Sequence, residues 1–235
     1  KMRDAVEFSP AIVLSGARQT GKSTLLKNEE PFRDWHYITF DDLDILSIAE
    51  KRPNDILNIS KNIIIDEAQR STAFMHAVKS AVDKDKSRRI VLSGSANMLL
   101  MKRVSESLAG RAIYFNLLPF SFGECMERVP NRWLEKLLTK GKASETQDSY
   151  TPSDIDLKFT LFRGFLPPVV SLKKEDHIAM WLKAYEKTYL ERDLREISEV
   201  SYLSDFKKVM ELLAIRNASI LKQSEVARDA GLSQA

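Results

Sequence analysis

Cysteine is almost missing from this chain of 235 residues: Cys125 stands alone. No internal disulfide can form, which fits a reducing compartment, and a structural zinc site is not expected. Histidine is nearly as scarce. His36, His76 and His177 lie far apart and never at metal-ligand spacing. Long hydrophobic runs are absent too; nothing approaches the roughly 18 apolar residues of a membrane-spanning helix. The N-terminus lacks the apolar stretch of a secretion signal, so a cytoplasmic location and no membrane partner are expected. Neither sign of charge prevails. Lys+Arg number 36 against 33 Asp+Glu, a net +3, too mild to argue for nucleic acid by itself. The chain opens on Lys1, stops at Ala235 inside a helical pattern, and reads as part of a longer protein.

What is present is a globular composition, 43% hydrophobic and 29% charged, of a length that accommodates one or two domains. Short apolar runs alternate with amphipathic stretches. Residues 11–15 (AIVLS), 36–40 (HYITF), 62–66 (NIIID), 90–93 (IVLS) and 113–115 read as strands. Helices are expected from Lys22, from about 42 to 51 before Pro53, and over 72–83, where Phe74, Met75, Val78 and Val82 share one face. Strands apolar on both faces and alternating with helices predict an α/β fold, a parallel sheet covered by helices on both sides. After Pro119 the pattern changes. Residues 126–141 look helical, 141–153 (GKASETQDSYTPS) read as a linker, and helices follow. Ile178, Trp181, Tyr185 and Tyr189 form one stripe and Phe206, Val209, Met210 and Leu213 another, both read as core packing. The expected division is an α/β domain over 1–125, a helical lid over 126–200 and a partial helix-turn-helix over 201–235.

The chemistry is carried first by Gly16-Ala17-Arg18-Gln19-Thr20-Gly21-Lys22-Ser23, which fits the phosphate-loop pattern G-x-x-x-x-G-K-[ST] between a strand and a helix. Its glycines let backbone N–H groups turn inward around phosphate oxygens, and the following helix adds its positive end. Lys22 can reach the β- and γ-phosphates, and the Ser23 hydroxyl can ligate Mg²⁺. Second, Asp66 and Glu67 end a buried strand at the sheet edge where ligands bind. Asp66 suits the Mg²⁺ shell, and Glu67 is placed to polarise a water for in-line attack. A guanine-reading N-K-x-D is absent. Third, Ser93-Gly94-Ser95 ends another strand on that edge; a hydroxyl there either reads the γ-phosphate or makes ordinary turn chemistry. Fourth, Arg111 follows Leu108-Ala109-Gly110 just before the fifth strand. Its charged fork suits a γ-phosphate, in a neighbouring subunit if not its own; a structural ion pair is the alternative.

In order, GARQTGKST, strand-DEAQR, strand-SGS, LAGR, L-x-P-F-S-x-x-E and R-G-x-x-P resemble the AAA+ superfamily. The resemblance is specifically to bacterial and archaeal AAA-type ATPases with an appended winged-helix region, which share features with STAND-like signalling ATPases. The resemblance spans essentially the whole chain. It implies that Gly16 to Thr24 hold the nucleotide, Asp66 and Glu67 form the hydrolytic pair, Ser93 is the first sensor and Arg111 the arginine finger. It also matches Leu118, Pro119, Ser121 and Glu124 to the start of a lid, and Arg163 to a second sensor. ATP and Mg²⁺ are the implied ligands, and a homo-oligomer the implied assembly. At the C-terminal end, Ser224 is expected to cap a short helix with Val226 and Ala227 inward, Gly231 to make a turn and Ser233 to start a second helix, a pattern that admits DNA. Two functions follow: a Mg²⁺-dependent ATPase that drives a core–lid switch, or a nucleotide-gated module for DNA or a protein with little turnover. A phosphotransferase, the third, lacks any residues that argue for an acceptor site.

Overall fold

A computed structural model describes residues 1–95, 108–127, 156–188 and 203–233. Five strands form one wholly parallel sheet: β1 (Ala11–Gly16), β2 (His36–Thr39), β3 (Asn62–Asp66), β4 (Arg89–Ser95) and β5 (Ala112–Asn116). Their order across the sheet is β2-β3-β4-β1-β5, so β1 is flanked by β4 and β5. Helices α1 (Met2–Phe8), α2 (Lys22–Asn28), α3 (Leu43–Lys51), α4 (Pro53–Leu57) and α5 (Thr72–Lys84) alternate with the strands. The expected strands and helices of this part are all present, within a residue or two of their predicted ends.

Alternation along each strand sorts the side chains onto two faces. Ala11, Val13, Ile63, Ile65, Ile90 and Leu92 point to one side, where they meet Phe74, Met75, Val78 and Val82 of α5. Ile12, Leu14, Ile64 and Val91 point to the other and meet Val6 of α1 and Leu26 of α2. With both faces covered, the strands are apolar throughout, as a parallel sheet requires. The Phe40 and Phe74 rings meet edge to face at 5.1 Å and 86°. Helix α5 is fixed at its start by Ser71, whose buried hydroxyl accepts from the Phe74 N–H. Asp42 does the same for α3, accepting from Asp44 and Ile45.

The chain divides by its internal contacts into two compact units, Lys1–Ala179 and Met180–Ala235. In the first, the sheet is followed by short helices over Phe122–Cys125, Leu157–Arg163 and Pro167–Val170. The motif P-F-S-x-x-E has a local physical basis. Ser121 Oγ accepts from the Glu124 N–H, and the Glu124 carboxylate accepts from the Ser121 N–H, a reciprocal cap that opens the helix. In the second unit, Leu203–Ile215 and Gln223–Ala230 are helical.

Ser224 is not the cap that the sequence suggests. The helix begins one residue before it, at Gln223 after Lys222, with Val226 and Ala230 as its buried residues. Gly231 does end it, at φ 71°. Ser233 is not helical, and a second helix beyond it lies outside the described residues, as do Tyr189, most of the helix expected over 126–141 and the linker expected over 141–153. No described helix is long and apolar enough to cross a membrane.

Candidate functional site

The parallel register sets every strand's C-terminal end on one edge. Gly16 pairs with Ser95, Leu14 with Ser93, and Ile65 with Leu92. The residue after Ile65, Asp66, is therefore level with Ser93, and both lie just below the loop that leaves Gly16. Three of the four predicted elements meet here because topology, not sequence proximity, brings strand ends together.

The loop Gly16–Thr24 is built on conformations that few residues adopt. Gly21 has φ 97°, and Gln19, a non-glycine, has φ 66°. Gly16 is required for space: a Cβ there would stand 2.5 Å from the Leu117 carbonyl oxygen. That contact follows from β5, whose continuation donates the Leu117 N–H to the Ser15 carbonyl at 2.7 Å. Thr20 Oγ1 donates to the Ala17 carbonyl at 2.9 Å and stiffens the turn. Lys22 is buried, and its ammonium donates to the carbonyls of Gly16 and Ala17, both at 2.9 Å. The cation is thus held over the loop by the loop's own carbonyls.

Asp66 is buried at the end of β3. Its Oδ2 accepts from the Ser23 hydroxyl at 2.9 Å and from the Tyr37 hydroxyl, and its Oδ1 accepts from the Glu67 N–H at 3.2 Å. A hydroxyl and a carboxylate side by side are a donor set that suits Mg²⁺, which keeps water and phosphate oxygens as its other ligands. Tyr37 is a residue that sequence reasoning missed. Burial, reinforced by donation to Asp66, pushes its phenol well above the ordinary tyrosine value.

Glu67 turns the chain out of β3 in the left-handed region, φ 54° and ψ 39°. Gln69, also unforeseen and buried, donates its Nε2 to Glu67 Oε2. Burial pushes the Glu67 carboxyl above the usual carboxylate range; the Gln69 bond and the charge of Arg18 act against that rise. Ser93 is fully buried on the face shared with Val91, and its hydroxyl has no hydrogen-bond partner. A buried polar group left unsatisfied is uncommon and calls for a missing partner.

Arg111 is placed elsewhere. Ala112 pairs with Ala11, so Arg111 stands level with Pro10, at the edge of the sheet opposite the loop. Six residues of strand separate those edges, about 20 Å, so Arg111 cannot reach the phosphate site of its own chain. Its guanidinium Nε donates to Asp83 Oδ1 at 2.7 Å, at the end of α5. Arg163 is also engaged structurally: Nη1 donates to the Val170 carbonyl at 3.2 Å, while Nε is buried with no hydrogen-bond partner.

Two cavities adjoin the loop. One of about 300 Å³ is lined by Gln19, Gly21, Lys22, Ser23, Thr24, Pro167 and Pro168. The other, about 580 Å³, is more apolar and is lined among others by Met2, Gly21, Thr24, Leu25, Leu117, Leu118 and Phe120. A polar chamber thus lies over the phosphate loop beside a larger, more apolar one. Pro167 belongs to both, brought there by the Phe120 N–H, which donates to the Phe165 carbonyl at 3.0 Å.

Among curated proteins, the chain is 26% identical over 239 residues to the uncharacterized proteins Rv2008c of Mycobacterium tuberculosis and Mb2031c of Mycobacterium bovis, covering 100% of this chain and 47% of each relative. It is 26% identical over 210 residues to the uncharacterized protein MJ1544 of Methanocaldococcus jannaschii, covering 86% of this chain and 45% of that one. The chain spans about half the length of the curated relatives it matches. Among solved structures, the Walker-type ATPase PABY2304 of Pyrococcus abyssi is similar in fold, with a TM-score of 0.51 at 15% identity, over 97% of this chain and 87% of that one. A family model described as "domain of unknown function (DUF8612)" matches residues 154–235. The model described as "AAA domain" matches residues 8–126, the sheet and the phosphate loop together. The chain therefore belongs to the AAA domain family.

Proposed function

We infer that the chain binds ATP with Mg²⁺ at the loop of Gly16 to Thr24 and hydrolyses it. The observation that supports this most strongly is the convergence, at one sheet edge, of the Lys22 ammonium, the Ser23–Asp66 pair at 2.9 Å and the Glu67 carboxylate. The triphosphate lies in the polar chamber, cradled by loop N–H groups, with Lys22 leaving its carbonyls for the β- and γ-phosphates. The nucleoside fills the apolar chamber between Met2, Leu25 and Leu117. Ser23 and Asp66 would hold Mg²⁺, which when bound offsets the charge of the phosphates. Glu67, with one oxygen fixed by Gln69, orients a water toward the γ-phosphate and takes its proton. Its environment raises its affinity for that proton. Ser93, a buried hydroxyl waiting for a partner, reads the γ-phosphate or the attacking water.

The same reading makes the assembly a homo-oligomer. Arg111 lies partly exposed on the edge that faces away from its own loop, so it serves as a finger only for another copy. Residues 126–200 act as the lid, and hydrolysis resets its angle to the 1–125 core. The alternative is a nucleotide-gated module that binds DNA or a protein with little turnover, DNA through 201–235, where the described basic residues Lys207, Lys208, Arg216, Lys222 and Arg228 each stand beside a carboxylate.

The test is Mg²⁺-dependent phosphate release from ATP over a range of protein concentrations, beside Glu67→Gln. Turnover per subunit that rises with concentration and is lost in the variant supports hydrolysis at a shared site. ATP binding without turnover would replace the enzyme by a nucleotide-gated binding module.

A further inference from the structure

We propose that Tyr37 is the positioning residue of the magnesium site, fixing the Asp66 carboxylate from beneath through its hydroxyl. This rests on the nucleotide reading above and adds a residue to it.

The argument begins with register. Tyr37 of β2 pairs with Ile64 of β3, two residues below Asp66 and on the same face. Two residues of strand rise about 6.6 Å. A tyrosine covers that span, and a serine or threonine at the position does not. The phenol arrives at Asp66 Oδ2, the oxygen that also accepts from Ser23. The two donors differ in what they can do next. Ser23 sits on the loop side, and its oxygen can turn a lone pair to a metal ion while its O–H goes on donating to Asp66. Tyr37 approaches from the core side, where its ring packs among the residues of the α1–α2 face. Together the two hydroxyls hold Asp66 Oδ2 from two sides.

The ring has a neighbour that does not reach its hydroxyl. Lys27, one turn after Ser23 on α2, places its ammonium 4.4 Å from the Tyr37 ring centroid. Helix α2 thus touches the hydroxyl end of the pair through Ser23 and the ring face through Lys27. The hydroxyl fixes the carboxylate, which would meet the metal already oriented. Partners behind a metal ligand commonly change metal affinity by 10- to 100-fold when removed.

The experiment measures the affinity of a fluorescent ATP analogue for wild type, Tyr37→Phe and Lys27→Met, in EDTA and across a Mg²⁺ titration. Circular dichroism melts in EDTA confirm that each variant folds. In Tyr37→Phe, the Mg²⁺ needed for half of the metal-dependent gain in affinity should rise on the order of tenfold, with metal-free affinity unchanged. Lys27→Met, which alters packing on the ring but keeps the hydroxyl, should leave the Mg²⁺ midpoint within about twofold of wild type. A Tyr37→Phe protein with the wild-type midpoint overturns the proposal and leaves the nucleotide reading standing. An equal shift in Lys27→Met overturns it as well, since packing and not the hydroxyl would then set the effect. A wild type that binds no nucleotide overturns the nucleotide reading, and this inference falls with it.

Discussion

Glu67 holds a backbone conformation that a long side chain rarely adopts, φ 54° and ψ 39°, at the position where the proposed chemistry needs a carboxylate. A non-glycine residue in that region carries strain of order 1 kcal/mol or more. Glu67→Gly and Glu67→Ala both remove the partner of Gln69 and should both abolish phosphate release, but the glycine variant should be the more stable of the two by about 1 kcal/mol in urea melts; equal stability would show that the turn is not strained. At this scale the phosphate loop was legible because backbone geometry dictates its spacing: glycines where φ is positive or space is lacking, lysine next to the second of them. Tyr37 and Gln69 were not. Tyr37 acts across a strand pairing that one-dimensional spacing does not reveal, and within HYITF it reads simply as a strand residue. Gln69 lies in a short turn whose side-chain directions only the fold sets.

The elements were predictable from alternating apolar runs and helical stripes, and α5 shows why: Phe74, Met75, Val78 and Val82 are all buried, as one helical face demands. What the pattern left open was the partner of Arg111, which is Asp83. Arg111 precedes a strand that runs parallel to β1, so it must lie opposite the loop that follows β1. That placement makes a specific prediction. Arg111→Ala keeps the loop but lacks the finger, and Lys22→Ala keeps the finger but lacks the loop's cation. Each alone should lose on the order of 10³-fold in turnover, and an equimolar mixture should regain activity as mixed assemblies form; no regain would confine Arg111 to its ion pair. That pair has its own signature. Donation from Arg111 holds the Asp83 carboxyl below the usual carboxylate range. The stability it contributes is present above the ordinary aspartate value and is lost as pH falls through the depressed one. Acid unfolding of Asp83→Asn should match wild type below that window and show a small deficit above it. The misplaced Ser224 cap has a different cause. Serine is a strong capping residue, but the helix starts at Gln223 with Lys222 at the cap, where no side chain bonds the first turn.

At the scale of the molecule, ligand binding and stability are coupled. ATP with Mg²⁺ at 100 times its dissociation constant should stabilise the fold by about 2.7 kcal/mol, a rise in melting temperature of roughly 5–11 °C for a chain of this size. Lys22→Ala should show little of that rise, and an equal shift in both proteins would place the nucleotide elsewhere. The family, the parallel sheet and its nucleotide edge were all legible in the order of motifs. The contact that joins the end of β5 to residues 163–170 was not, since it spans a long stretch of chain. That contact has a further consequence. The Phe120 N–H and the Phe165 carbonyl meet at 3.0 Å, so the stretch from Ser121 to Gly164 leaves and returns at one point. It is a detour pinned at its mouth. Doubling the length of such a detour costs only about 0.6 kcal/mol in closure entropy. Related chains can therefore differ in the length of that detour at little cost in closure entropy, while the same hydrogen bond keeps Pro167 beside the phosphate loop.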